Sequence, residues 1–506
     1  GQAFDDAVFF NCMLLEYAIQ LEKTMAHAPD SLKQVYLNWK ALQRRLGDAY
    51  AQPGFEQAAI KDLEGRAEDL EKELLRHNTI RLGGDRTSWS EIRNRLLEGE
   101  AAIEFVHFSW NNPRSTDSVL YVALMLRSEW EAPAWITLFE EKQVLSFIEA
   151  ENSRGAKYVE DLFDPDAETS LYNIIWQPLE QYLEGVDRIY FSPSGILHRI
   201  PLAALENEAG QLIGDRFVLH QMGSTRQLKH SDQNDPNSSR DALIFGGIQY
   251  DMDSSAVVAS NDALSISAHD EENLLFDATR SLLQGGKPWK YLPWTEVEAK
   301  MLNVLFKKEK INTKLFLAYE ATEETFRNIG KEQGPPRVLH IATHGYFFPD
   351  PAPADSGVNL DPVFKISAHP MIRSGLILAG ANRVWTGGQA IEGREDGILT
   401  AYEISQMNLA GTELAVLSAC ETGLGDIEGN EGVFGLQRAF KMAGVRYLIM
   451  SLWQVPDFVT QQLMTAFYQN WLIEEMTIPV AFRKARQQIR KEKPEAFYWA
   501  GFILVE

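Results

Sequence analysis

Short apolar runs alternate with helical stretches along residues 101–451, and this alternation restricts the fold more than any other feature of the sequence. The runs that predict strands are residues 101–108, 118–126, 188–195, 241–247, 337–342, 375–379, 413–418 and 445–451. Several of them are apolar throughout, which is typical of strands covered on both faces. Helical patterns such as the apolar stripe of residues 295–306 lie between them. The pattern predicts an α/β fold with a mostly parallel sheet flanked by helices.

Residues 1–84 follow a different pattern. Apolar side chains recur there at steps of three and four, within residues 10–21, 32–46 and 60–74. We expect three amphipathic helices that form a helical arm, with turns at residues 28–31 and 52–54. The chain begins on Gly1 within a helical pattern, so we also expect that further helices precede it.

Two polar, glycine-containing segments indicate the domain boundaries. A glycine pair within residues 81–89 separates the arm from the first predicted strand, and residues 251–286 have little periodicity and are typical of a long surface connection. We therefore predict a helical arm over residues 1–84, a first half over residues 85–290 and a second half over residues 291–506.

Charge and composition exclude several function classes. The formal net charge is -23, whereas binding to duplex nucleic acid or to an anionic membrane needs a basic face. The sequence has no apolar run of about 18 residues that would predict a membrane-spanning helix, and no secretory leader. With only two cysteines there is no disulfide framework, which indicates a reducing, cytoplasmic location.

Two apolar runs end on reactive side chains. The sequence "VLHIATHGYF" (residues 338–347) places His344 after one predicted strand, and "LAVLSACETG" (residues 414–423) places Cys420 after another. Ligands of parallel sheets bind at the carboxyl ends of the strands. A thiol at a glycine-containing turn can attack an acyl group if a histidine within reach accepts its proton. The spacing leaves open the alternative that both side chains are structural.

Two further residues, His340 and Cys12, are interpreted as structural. His340 lies within the same strand as His344 and is expected to be a buried supporting histidine. Cys12 lies in the helical arm without a histidine beside it and is expected to be inert packing.

Several segments around His344 and Cys420 together resemble a known family. They are "LHIATHGYF" (339–347), "SGLILAG" (374–380), "DGILTAYEIS" (396–405), "TELAVLSACETGLGDIEGNEGVFGLQRAF" (412–440) and "SLWQVPD" (451–457). With "FSPSGILHRIPLAAL" (191–205), "LPWTEVEAKML" (292–302) and "FYWAGFILVE" (497–506), they resemble the CHAT domain, the caspase-like domain associated with TPR proteins. The resemblance extends from about Trp89 to the end, and the arm resembles the region that connects TPR repeats to the domain.

This resemblance implies a cysteine endopeptidase of the clan that contains caspases and separases. It implies a pseudo-caspase first half, an active caspase-like second half, His344 as general base or acid and Cys420 as nucleophile. The expected oxyanion site is formed by the backbone N–H groups of Gly345 and Cys420. No metal or cofactor is implied. The first half contains no cysteine, so His198 is expected to be structural.

The sequence constrains the substrate preference and the partners less than it constrains the catalytic residues. Three carboxylates follow the nucleophile closely: Glu421, Asp426 and Glu431. They could bind a basic residue that precedes the scissile bond of the substrate. The alternatives are a solvated acidic loop, a Glu431 that only places charge at the start of the following helix, or an acid-preferring cleft formed by Arg373 and Arg383. The resemblance implies a bacterial defence or programmed cell-death pathway, a protein substrate such as a gasdermin or a CRISPR-associated protein, and regulation by a partner bound to upstream helical repeats. A catalytically silent scaffold and a hydrolase of small amides are the competing hypotheses.

Overall fold

The computed structural model describes most of the chain. The described residues are 1–26, 28–51, 57–76, 86–111, 115–148, 156–163, 170–230, 240–252, 287–331, 334–350, 367, 369–391, 393–419, 422–427 and 432–506. Of the predicted site residues, Cys420, Glu421 and Glu431 lie outside these ranges. Of the predicted connection over residues 251–286, only residues 251 and 252 are described. The predicted arm boundary at residue 84 lies outside the described ranges.

The helical arm contains four described helices: α1 (Gln2–Phe10), α2 (Met13–Ala26), α3 (Asp30–Ala51) and α4 (Gln57–Arg76). The expectation of one helix through residues 10–21 is wrong, because the helix is interrupted at Asn11 and Cys12. Cys12 has a φ of 53°, which ends helical geometry. The Asn11 amide Nδ2 donates a 2.7 Å hydrogen bond to the buried carboxylate of Glu104. A tertiary contact therefore breaks the helix where the periodicity continues.

The remaining helices flank a large sheet. They are α5 (Trp89–Arg93), α6 (Glu141–Ile148), α7 (Ala156–Leu162), α8 (Ile213–Arg216), α9 (Pro293–Lys308), α10 (Glu323–Arg327), α11 (Asn382–Trp385), α12 (Ala401–Ser405), α13 (Leu436–Met442), α14 (Asp457–Leu472), α15 (Ile478–Glu492) and α16 (Ala496–Trp499). Shorter 3₁₀ or π turns include Gly195–Arg199, Thr225–His230 and Pro370–Ile372. Within the described ranges, no helix is long and apolar enough to cross a membrane.

The strands are β1 (Glu100–Asn111), β2 (Ser115–Arg127), β3 (Ala134–Glu140), β4 (Arg188–Ser192), β5 (Val218–Gln221), β6 (Asp241–Ile248), β7 (Asn312–Ala318), β8 (Val338–Ala342), β9 (His344–Phe347), β10 (Ser374–Ile377), β11 (Ile398–Thr400), β12 (Leu414–Ser418), β13 (Gly425–Ile427), β14 (Val433–Gly435), β15 (Tyr447–Ser451) and β16 (Phe502–Val505). Each predicted strand is present, with bounds shifted by a few residues. Short or half-exposed strands such as β5, β7 and β16 were not predicted, because they lack a continuous apolar run.

Eleven strands form one sheet in the order β3-β2-β1-β4-β5-β16-β15-β12-β8-β6-β7. The pairs β3–β2, β2–β1 and β15–β16 are antiparallel, and the other described pairs of this sheet are parallel. The predicted α/β class with a mostly parallel sheet flanked by helices is therefore confirmed. A three-stranded sheet, β11-β10-β9, extends from the end of β8.

The two predicted halves share this sheet. They meet where β16 pairs with β5 at Val505 and Gln221, and the Glu506 N–H donates to the Gln221 carbonyl at 2.8 Å. β6, which precedes residue 290, pairs with β7 and β8 of the second half. The exact domain boundaries stay a prediction.

Candidate active site

The ends of β8 and β12 meet at one edge of the sheet. The two strands are parallel neighbours, all five residues of each are buried, and Ala342 pairs with Ser418. Thr343 and His344 follow one strand, while Ala419 follows the other. Because both chains leave the sheet at this edge, their next residues emerge where parallel sheets bind ligands.

His344 is held by aromatic rings and one backbone carbonyl. Its imidazole centroid lies 4.7 Å from the Trp289 ring and 5.1 Å from the Tyr250 ring. Its Nε2 is 2.7 Å from the carbonyl oxygen of Lys290. Since a carbonyl can only accept, Nε2 must carry a hydrogen, and in the neutral ring Nδ1 holds the free electron pair. The sequence offered no signal for Lys290, because its contribution is a backbone atom.

Burial lowers the pKa of His344 below its usual value of 6.5, and the hydrogen bond to the Lys290 carbonyl opposes this shift. The neutral imidazole is therefore the dominant form at neutral pH. A neutral ring of fixed tautomer can accept a proton at Nδ1.

Ser451, at the end of β15, holds the backbone on both sides of residues 420 and 421. Its Oγ donates to the Ala419 carbonyl at 2.8 Å, and its backbone N–H donates to Thr422 Oγ1 at 3.2 Å. Its carbonyl accepts from the Gly423 N–H at 2.7 Å. The segment that contains Cys420 is thus anchored at both ends. Ser451 is the first residue of the "SLWQVPD" segment, and no local pattern in the sequence indicates this role.

A buried carboxylate, that of Glu298, contacts both β8 and β12. Glu298 of α9 is 1% exposed; its Oε1 lies 2.8 Å from His340 Nε2, and its Oε2 accepts from Ser418 Oγ at 3.1 Å. His340 Nδ1 lies 3.2 Å from the Tyr468 hydroxyl. The interpretation of His340 as a buried supporting histidine is confirmed. Glu298 was missed, although an acid within the apolar stripe of a helix was an available signal.

A small acidic pocket opens beside the two strand ends. Asp457, at the start of α14, faces it together with Glu298, and the pocket wall includes Thr343, Ala419 and Ser451. Burial, with the Glu298 carboxylate as the second cause, raises the pKa of Asp457. A cation entering this pocket would be attracted to the Asp457 carboxylate, since both oxygens of Glu298 are already bonded to His340 and Ser418. Asp457 was not identified from the sequence as a binding residue.

Asp426 has a partner within the protein. It lies on β13 and pairs with the fully buried Arg373, whose guanidinium also contacts Asp350 Oδ1 at 2.5 Å and the Phe348 carbonyl at 3.2 Å. The Asp426 carboxylate is therefore already bound to a cation of the protein itself, which it shares with Asp350. Arg383 donates from Nε to the Gln389 carbonyl at 2.6 Å. The substrate-binding roles of Asp426, Glu421 and Glu431 stay predictions.

The structure also describes three further residues that the sequence singled out, Gly345, His198 and Cys12. Gly345 is buried on β9 opposite Leu376, and its role in an oxyanion site stays a prediction. His198 is buried, and burial together with the nearby His107 lowers its pKa to about 4. Cys12 lies against Gly223 between α1 and α2. Among the described side chains, no group of three or more His, Cys, Asp or Glu could hold a metal ion.

A sequence model of the CHAT domain matches residues 166–506. The match covers more than half of the chain and includes His344, Cys420 and the strands that precede them. Tetratricopeptide repeat protein 28 of Homo sapiens is 29% identical over 110 residues, which are 21% of this chain and 4% of that protein. The Mus musculus protein of the same name is 28% identical over 110 residues, with the same coverage. The chain thus spans only a small part of these relatives.

Solved structures show a coarse likeness. The separase–securin complex of Saccharomyces cerevisiae has a TM-score of 0.41 at 10% identity, over 82% of this chain and 30% of that chain. The complex of the pro- and mature domains of RgpB from Porphyromonas gingivalis has a TM-score of 0.36 at 9% identity, over 72% of this chain and 75% of that chain. At these TM-scores the likeness transfers no residue role to this protein.

Proposed function

The chain belongs to the CHAT domain family, and from this membership we propose that it is a cysteine endopeptidase with Cys420 as nucleophile and His344 as base. The observation that carries the proposal is the orientation of His344. Its Nε2 is held by the Lys290 carbonyl, so the electron pair of the neutral ring is at Nδ1. This ring lies at the sheet edge where β12 ends, two residues before Cys420.

The proposed reaction has two stages. His344 Nδ1 accepts the thiol proton of Cys420, and the thiolate attacks the peptide carbonyl carbon. The N–H groups of Gly345 and Cys420 stabilise the oxyanion that forms. The C–N bond then breaks, the amine leaves with the proton from His344, and a thioester remains on Cys420. Water, deprotonated by His344, hydrolyses this thioester and restores the thiol.

We propose a basic residue before the scissile bond, recognised by the acidic pocket beside the strand ends. Asp457 supports this proposal better than Asp426, because the Asp426 carboxylate is already bound to Arg373. Glu421 and Glu431 stay candidates for the same role, since they follow the nucleophile in the sequence. A cation bound to Asp457 would lower its raised pKa and so favour the ionised carboxylate.

For the biological setting, we propose cleavage of a dedicated protein partner in a bacterial defence or cell-death pathway in the cytoplasm. Family membership supports this setting, and a gasdermin and a CRISPR-associated protein are the first two substrates to test. Regulation by a partner bound to upstream helical repeats is part of the same proposal.

The decisive experiment maps cleavage sites in a proteome extract by mass spectrometry. The wild-type protein should generate new N-termini, and Cys420→Ala should reduce them at least about 10³-fold. Cys12→Ala is the matched control because it removes the only other cysteine, and it should cut like the wild type. Lys or Arg should precede most cuts, and Asp457→Asn should weaken that preference.

If no cleavage is detected, labelling of the cysteines with iodoacetamide tests whether Cys420 is an activated thiol. Preferential labelling of Cys420 over Cys12 near neutral pH would show an activated thiol and support the enzyme. Cleavage that survives in Cys420→Ala would overturn the proposal. An extract left uncut, together with a Cys420 no more reactive than Cys12, would favour the scaffold hypothesis.

A further inference from the structure

Helix α9 is apolar on two sides. One side faces the sheet and is buried through residues that include Ala299, Leu302 and Phe306. The other side exposes four large apolar residues: Trp294 (39%), Val297 (39%), Met301 (44%) and Val304 (68%). A helix that only covers a sheet is expected to be polar on its outer side. A contiguous exposed apolar stripe of this kind marks an interaction surface.

The spacing of this outer stripe fits another helix. Trp294, Val297, Met301 and Val304 follow one another at steps of three, four and three, and Lys308 continues the series after four more residues. This is the alternating spacing with which helices pack along a shared seam. The distance from Trp294 to Lys308 along the axis is about 21 Å at ~1.5 Å per residue.

One end of the stripe is continuous with the candidate active site. The chain reaches α9 through Trp289 and Lys290, the two residues that hold His344. Phe458 of α14 is 39% exposed and contacts Trp294 with 4.8 Å between ring centroids. Tyr291, at 36% exposure, extends the apolar surface toward the site. A partner lying on α9 would therefore have one end close to His344.

The other end of the stripe is basic, although the protein carries a net charge of -23. Lys307, Lys308 and Lys310 are exposed there, and Glu309 is the acid among them. Lys300, nearer the middle, is already paired with Glu296 at 2.5 Å. The three lysines favour acidic residues at the matching end of a partner.

We infer that this α9 stripe docks an amphipathic helix of the protein substrate, with apolar residues in the same spacing and acidic residues where it meets Lys307, Lys308 and Lys310. The inference rests on the proposed function and adds a binding surface outside the catalytic residues. Parallel pairing of two copies of this chain through α9 would place their lysines side by side, which is unfavourable.

Peptide binding to Cys420→Ala tests the inference without any need for turnover. The probe is a fluorescent helical peptide of about 20 residues with Leu at the seam positions and Glu flanking its last turn. A matched peptide carries Lys in place of Glu. At low salt the Glu peptide should bind at least tenfold more tightly than the Lys peptide, and added salt should narrow this difference.

Variants of the stripe show where the peptide binds. Met301→Glu with Val304→Glu, in the Cys420→Ala protein, should weaken binding at least tenfold. The control is Leu37→Glu with Leu97→Glu, which places the same charges on exposed leucines elsewhere and should change binding less than twofold. Melting curves of both variants check that the fold is intact. Absence of binding, or equal loss in both double variants, would overturn the inference.

Two further measurements separate the alternatives. If sedimentation shows a dimer that the stripe variant alone loses, a second copy covers α9 and substrate docking is overturned. In the proteome digest, the stripe variant with Cys420 intact should lose protein cleavage at least tenfold while still cutting short peptides that span the same sites. Peptide binding that depends on the stripe, without any cleavage by the wild type, would support the docking surface and count against the peptidase.

Discussion

Each half of the sheet has a histidine beside a turn that follows a parallel strand, but the two rings have different surroundings. In the first half, His107 on β1 lies beside the turn that follows β4, and its Nδ1 is 2.6 Å from Ser194 Oγ. In the second half, His344 follows β8 and uses Nε2 to donate to the Lys290 carbonyl. His107 is thus hydrogen-bonded through Nδ1, which is the nitrogen that His344 leaves available. Among the described residues, Nδ1 of His344 has no hydrogen-bond partner.

The turn that follows β4 in the first half also leaves no room for a side chain at Gly195. Gly195 has a φ of 53°, and a Cβ there would lie 2.1 Å from the Tyr121 hydroxyl, which accepts a hydrogen bond from the Ile196 N–H. Tyr121 stacks on His107 with 5.4 Å between ring centroids. The ring of His107 is therefore held on two sides, by Ser194 and by Tyr121. The ring of His344 is held through Nε2, which leaves Nδ1 available to accept a proton.

Removing each histidine should give the largest contrast between the halves. His344→Ala should lower kcat/KM about 10²–10⁴-fold, because it removes the proposed base. His107→Ala should leave kcat/KM within about twofold and lower the free energy of unfolding by about 1–3 kcal/mol, since Ser194 loses its partner. Both parameters can be measured on a peptide identified in the proteome digest. Equal losses of activity would show that the first half takes part in catalysis.

Each half of the sheet also contains a buried carboxylate. Glu104 on β1 accepts from Asn11, Ser224 and Thr225, whereas Glu298 contacts His340 and Ser418. Replacing either carboxylate by alanine leaves its buried partners unsatisfied. We expect each variant to lose about 3 kcal/mol of unfolding free energy in chemical denaturation.

Activity should distinguish these two variants. Glu298→Ala should lower kcat/KM at least tenfold, because Ser418 belongs to the strand that leads to Cys420, and Glu104→Ala should change it less than twofold. The assay is run at a temperature where both variants are folded by circular dichroism. An inactive but folded Glu104→Ala would instead link the helical arm to catalysis.

A smaller effect is expected on acid stability. Burial lowers the pKa of His198 in the first half and of His369 in the second half to about 4. Between pH 6.5 and about 4, the unfolded chain binds protons at these sites that the folded protein does not. The free energy of unfolding should therefore fall as the pH falls through this range, by at most about 3 kcal/mol for each histidine.

Phenylalanine substitutions test the two contributions separately. His198→Phe should reduce the pH dependence at little cost at pH 8, because no described residue bonds to His198 Nδ1. His369→Phe should reduce it too but should lower stability at every pH, since Nδ1 of His369 accepts from the Met371 N–H at 3.3 Å. Melting temperatures from pH 4 to 8 provide the measurement. An unchanged slope in both variants would show that other groups control acid stability.

Some features of the fold depended on contacts that local patterns do not contain. The four-residue strands β5 and β16 exist because they pair with each other and with neighbours distant in the chain. The break between α1 and α2 depends on Glu104, 93 residues from Asn11. In both cases tertiary contacts override the local pattern.

The α/β class, the positions of the long strands and the place of His344 two residues after a buried strand could all be predicted from the sequence. These features follow from apolar periodicity, which acts over a few neighbouring residues. The protonated nitrogen of His344, and the acid that bonds to both strands, could not be predicted because they depend on contacts between distant residues. The Lys290 carbonyl is 54 residues from His344, and Glu298 is 120 residues from Ser418. Hydrogen bonds over such separations form only once the sheet has brought their partners together.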